Sequence, residues 1–172
     1  MIDMIKIFVF IFFTTLICHG QETIKLTSKD STEIIKTWEQ FSASLKGGSR
    51  TKIKTLSQSR VDCLTCTPSD SVVTDYFVSI DKFIDYIVAL SQTSKLGKAI
   101  EASPEKIWVT KYDDFLPKYW DIKMGNEFVI YQILFHTYKR NELAPGHEGS
   151  AHIFQFIKTN NKFVFYGFDV VP

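Results

Sequence analysis

The sequence predicts an α+β fold, with helices packed on an antiparallel sheet built mainly from the C-terminal half. Two observations predict it: apolar residues recur at helical spacing up to about residue 100, and β-branched and aromatic residues fill the extended segments that follow. A third sets the class, because helices that precede a meander of strands, instead of alternating with them, give α+β and not a parallel α/β sheet.

The chain opens MIDMIKIFVFIFFTTLICHGQE, with Lys6 before an unbroken apolar run from Ile7 to Phe13 and a softer tail of small residues. That is the layout of a secretory leader, with Cys18 and Gly20 placed before a cut at Gly20/Gln21. A lipoprotein leader wants a small residue directly before Cys18, where Ile17 stands. The apolar stretch also ends short of the roughly 20 residues that span a bilayer. Residues 1–20 are therefore expected to be a signal peptide and residues 21–172 a single secreted or periplasmic domain.

In SKDSTEIIKTWEQFSASLKGG, the positions Ile34, Ile35, Trp38, Phe41 and Leu45 lie on one helical face. Asp30 with Glu33 suggests a capping box, and Gly47 with Gly48 supplies a stop. A shorter helix is expected in SRTKIKTLSQ, where Ile53 and Leu56 share a face. Ser79 suits the cap of a third helix with a stripe of Phe83, Ile84, Ile87, Val88 and Leu90. KLGKAIEAS adds a turn or two before Pro104. The segments EKIWVTKY, NEFVIYQILFHTYKR, SAHIFQFIKT and KFVFYGFDVV then read as strands, the last two joined by an Asn160-Asn161 hairpin turn. Apolar residues on both faces of these strands imply that both faces of the sheet are covered.

With Asn160 and Asn161 as the turn, Thr159 faces Lys162. Counting back places Gln155 opposite Tyr166 and His152 opposite Asp169. One face then carries His152, Phe154, Phe156, Phe165 and Asp169, the other Ile153, Gln155, Ile157, Val164, Tyr166 and Phe168. In that register His152 and Asp169 form either a general base with its orienting carboxylate or a cross-strand pair at a sheet end. A slip of one residue exchanges the faces.

Cys63 and Cys66 stand in CLTC, a spacing shared by redox sites, zinc sites and local disulfides. Leader removal takes Cys18 away and leaves an even pair in an oxidising space, where a structural disulfide is the default. A redox role wants a helix N-terminus or a cation beside the nucleophile, and Pro68 and Asp62 speak against both. Zinc wants two further ligands, and no second cysteine pair exists. HEGSAH, residues 147–152, approaches the HExxH signature but spaces its histidines one residue too far apart, in a stretch punctuated by Pro145, Gly146 and Gly149. No metal and no cofactor are expected.

Hydrophobic residues make up 45% of the chain and aromatic residues 15%, which excludes a disordered segment. A net charge of +1 from dispersed basic residues offers no stripe for phosphates, so nucleic acid is not an expected partner. Trp108, Tyr112, Phe115, Tyr119 and Trp120 are candidates for the wall of a ligand cleft, with sheet cover as the other use of such rings.

The run IIKTWEQFSASLKGGSRTKIKTLSQ, an aromatic amphipathic helix passing through a glycine stop into a second short helix, resembles the opening of small secreted bacterial proteins of the nuclear-transport-factor-2-like superfamily. VSIDKFIDYIVAL is similar to their third helix, and HIFQFIKTNNKFVFYGFDVV to their closing hairpin. The resemblance spans roughly residues 30 to 171 and lies in pattern and order. It implies a curved sheet around a conical cavity closed by helices, a cone fold that carries isomerases, dehydratases and cyclases as well as members without catalytic function. No active-site residue transfers with it. The expected function is a non-catalytic module binding a small apolar ligand or an envelope protein. The alternative is a cone-fold enzyme using His152 with Asp169, or His136 with Tyr131, as an acid-base pair.

Overall fold

The computed structural model describes residues 22–67, 76–102, 104, 106–113 and 127–171. The expected leader, Phe115, Tyr119 and Trp120 lie outside them.

The first helix, α1 (Ser28–Lys46), begins one turn before the expected capping box. Thr27 is the cap, its hydroxyl accepting from the Asp30 N–H at 3.0 Å, which leaves the Asp30 carboxylate free to reach the sheet. The end is as expected: the Gly47 N–H returns to the Ala43 carbonyl, and Gly48 takes the left-handed conformation at φ 63°. Helix α2 (Arg50–Thr55) buries Ile53. Helix α3 (Ile80–Thr93) is capped by Ser79, which accepts from the Lys82 N–H at 3.3 Å, and buries Phe83, Ile84 and Ile87. A single turn, α4 (Leu96–Ala99), follows.

The first half also contains strands that its helical periodicity hides. These are β1 (Glu22–Ile24), β2 (Ser57–Asp62) and β3 (Phe77–Ser79). In β2 only Val61 is buried, so SQSRVD carries no alternating apolar signal to read. With β4 (Lys106–Asp113), β5 (Glu127–Tyr138), β6 (Ser150–Thr159) and β7 (Lys162–Val171) they form one sheet in the order β1-β4-β5-β6-β7-β2-β3. The sheet is mixed and not wholly antiparallel, because β2 lies parallel to β7 while its other neighbours pair antiparallel.

The closing hairpin turns at Asn160 (φ 49°) and Asn161 (φ 58°), and Thr159 faces Lys162 as the turn requires. Phe156 still faces Phe165, but a bulge at Tyr166 then shifts the register. Gln155 consequently lies opposite Gly167 instead of Tyr166, and His152 opposite Val170 instead of Asp169. Gly167 suits this crossing of strands. A Cβ there would lie 2.7 Å from Gln155 Oε1 and 3.1 Å from the Asp62 carbonyl oxygen.

The bulge brings Phe168 to the inner face in place of Asp169. Trp38 and Phe41 from α1 and Phe83 from α3 meet Phe135, Phe154, Phe156, Phe165 and Phe168 from the sheet in one core. Phe41 stacks on Phe165 at 4.6 Å, Trp38 sits 4.8 Å from Phe154, and Phe83 4.8 Å from Phe165. Aromatic rings thus occupy the space between helices and sheet where the resemblance implied a cavity. The opposite face is apolar too, with Ile130, Ile157 and Tyr166 in one cluster and Leu134, Ala151 and Ile153 in another.

Cys63 and Cys66 form a disulfide with Cα atoms 5.3 Å apart. Cys63 is fully buried, and its N–H donates to the Tyr76 carbonyl at 2.9 Å, so the bridge lies against the β2–β3 connection.

Candidate functional site

His152 lies on β6 beneath the helices, 5% exposed, its ring 5.6 Å from that of Phe168. Its Nδ1 shares a hydrogen bond of 3.0 Å with the Thr137 hydroxyl. Burial without a countercharge lowers its pKa to about 4, so the imidazole is neutral at neutral pH. Asp169 pairs with Ile153 and turns to the other face, where its carboxylate accepts from the Val170 N–H at 2.8 Å. The carboxylate therefore does not orient the imidazole.

His136 and Tyr131 also separate, since an odd spacing on β5 points them to opposite faces. His136 is exposed, while the Tyr131 hydroxyl donates to Asp30 Oδ2 at 3.5 Å. Lys158 completes that cluster, 2.9 Å from Glu33 Oε2 and also bonded to Asp30. The Lys158 ammonium holds the Asp30 carboxyl below its ordinary range, and the two carboxylates raise the Lys158 pKa. The cluster ties the first turn of α1 to β5 and β6. In the HEGSAH stretch, His147 Nδ1 accepts from the Gly149 N–H at 2.9 Å, a loop contact. Among the described residues no three His, Cys, Asp or Glu side chains converge as metal ligands.

Several surface grooves open among the described residues, among them two of about 480 and 560 Å³ with mainly polar walls beside the α1–α2 turn. Of two others, one, about 650 Å³, runs along the β5–β6 end and is lined by Lys95, Glu142, Arg140 and Glu148, which are ion-paired as Lys95 with Glu142 and Arg140 with Glu148. The second, about 460 Å³, opens between α1 and the segment joining α4 to β4. Its walls are Ile35, Ile100, Pro104 and Ile107, and Trp38 reaches it from the core. Glu39, Lys46 and Glu101 stand exposed at its rim. This second groove is walled mainly by apolar side chains, with Ser42 and the charged rim as its polar groups.

Of the aromatic candidates, Trp108 is on the opposite face of the sheet, packed against the Leu134 cluster with the Lys106 ammonium 4.8 Å over its ring. The backbone of Tyr112 pairs with Phe128 in the β4–β5 ladder. Tyr119 and Trp120 are outside the described residues. Sequence reasoning assigned Trp38 to the core alone and passed over Ile100, Pro104 and Ile107. The groove joins residues some 65 positions apart, and no local pattern announces it.

No protein-family model matches the chain, and no curated protein matches it either. Among solved structures, a designed protein of the Rd1NTF2 series is 15% identical, with TM-score 0.38 over 82% of this chain and 96% of that one. A protein described as a calcium/calmodulin dependent protein kinase II association domain, from Xanthomonas campestris, is 12% identical, with TM-score 0.37 over 88% of this chain and 94% of that one. The chain's own strand order and helix placement carry the architecture. Helices set against a mixed seven-stranded sheet make it an α+β protein.

Proposed function

We propose that the protein is a secreted or periplasmic, non-catalytic binding module that takes a small apolar ligand in the groove between α1 and β4. The groove itself carries this reading. Its volume of about 460 Å³ falls within the range of small-molecule sites, and its wall is apolar around an aromatic ring. Among the described residues the candidate base His152 has no carboxylate partner, and it is buried, which favours binding over acid-base chemistry. The leader-like residues 1–20 and the Cys63–Cys66 disulfide support an oxidising compartment.

The test is titration of the purified protein with 1-aminoanthracene, a neutral apolar fluorophore, beside the variant Ala43→Phe. Ala43 is an exposed α1 residue on the groove, so a phenyl ring there fills the site while leaving the core intact. We expect saturable binding that weakens at least about tenfold in the variant, given the area such a ring covers. Equal binding by both proteins places the probe elsewhere and sinks the reading, as does no binding at all. Saturation that persists only with an envelope protein would replace the small ligand by a protein partner.

A further inference from the structure

We infer that the groove's ligand is a neutral apolar molecule carrying a hydrogen-bond-accepting oxygen, such as a ketone or ester, and that the Trp38 indole N–H is the group that recognises it. The inference rests on the groove reading above and deepens it. Trp38 is 2% exposed, and among the described residues its indole N–H, which is only a donor, has no acceptor. Folded proteins rarely leave a buried donor unmatched, and a polar group open to a ligand is one of the few reasons to do so. The aromatic rings around it supply no acceptor. Phe154, Phe135, Phe41 and Phe156 pack around the ring at 4.8, 5.0, 6.2 and 6.4 Å between centroids, and all of them present carbon. The groove is where we place the approach of an oxygen, because Trp38 is among the residues that line it.

The rim narrows the class. Glu39 and Glu101 outnumber Lys46 there, which disfavours an anionic head, and a cationic head has no lone pair to offer an indole. The Ser42 hydroxyl donates to the Glu39 carbonyl at 3.2 Å, so it does not compete for the ligand oxygen. A neutral carbonyl on an apolar frame satisfies wall, rim and donor together.

The experiment compares acetophenone with α-methylstyrene, its analogue in which a CH2 group replaces the carbonyl oxygen. The protein is labelled with ¹⁵N-tryptophan, and the Trp38 indole signal is assigned by its loss in Trp38→Phe. Acetophenone is expected to move that resonance downfield while α-methylstyrene does not. The ratio of acetophenone to α-methylstyrene affinity should fall about tenfold in Trp38→Phe, the worth of one hydrogen bond. If both probes bind and the indole resonance stays put, the donor belongs to solvent: this inference falls while the groove reading stands. If neither probe binds the wild type, the groove reading falls and takes this one with it. Should Trp38→Phe not fold, the wild-type resonance decides alone once the other two tryptophans are assigned by substitution.

Discussion

His152 shows how one buried side chain writes itself into the behaviour of the protein. Its only described polar partner is the Thr137 hydroxyl, and its pKa falls to about 4 from an ordinary value of 6.5. Between those values the unfolded chain binds a proton that the folded chain refuses, so stability rises with pH across this window. It is complete above about pH 6.5 and declines as pH falls towards 4, by up to roughly 1.4 kcal/mol per pH unit. Urea denaturation at pH 7.0 and 4.5 should show the loss, and His152→Gln, which keeps a hydrogen-bonding group for Thr137, should reduce it. An unchanged pH dependence in that variant would mean that other groups carry it. The residue scale is also where sequence reading met its limit. The type and strand of His152 were legible, but its partner was not, because the bulge at Tyr166 lies between the hairpin turn and the pair being counted.

At the scale of elements, α1 is held to the sheet by more than its apolar stripe. Lys158 on β6 bridges Asp30 in the first turn of α1 and Glu33 in the second, and places its ammonium 5.2 Å over Phe163. Removing that charge leaves two carboxylates close together, although the positive end of the helix dipole offsets part of their repulsion. Lys158→Met is expected to cost about 1 kcal/mol at low salt, at the upper end for ion pairs that retain solvent contact. The deficit should shrink in high salt, which screens the charges. Thermal melts of both proteins at two salt concentrations check this, and an equal deficit at high salt would assign the effect to packing. The helices themselves were readable because their signals are local: an apolar stripe at helical spacing in α1 and α3, a glycine stop after Lys46, a serine cap at Ser79. The short strands β1, β2 and β3 were not, since their pairing partners lie far along the chain.

Across the whole molecule, the choice made by this sequence is to fill the space between helices and sheet with aromatic rings. Phe154 is fully buried and touches Trp38, Phe41, Phe135, Phe165 and Phe168, which makes it the centre of the aromatic core. Phe154→Ala should destabilise the protein by about 3–5 kcal/mol, the usual cost of deleting a core ring. If the groove is the ligand site, the space opened behind Trp38 should also let the variant bind 1-aminoanthracene more tightly than the wild type. A folded variant with the same affinity would show that groove and core are not continuous.

The sequence by itself determined the α+β class, the positions of α1 and α3, the Asn160-Asn161 hairpin and the pairing of the two cysteines that a disulfide joins. These follow from side-chain periodicity, capping chemistry and turn conformations, which act over a few residues. Tertiary structure decided the parallel docking of β2 on β7, the bulge that parts His152 from Asp169, and the groove between Ile35 on α1 and Ile107 on β4. Each of these depends on contacts between distant segments, where packing of rings against one another outweighs any preference that a short stretch of chain can express.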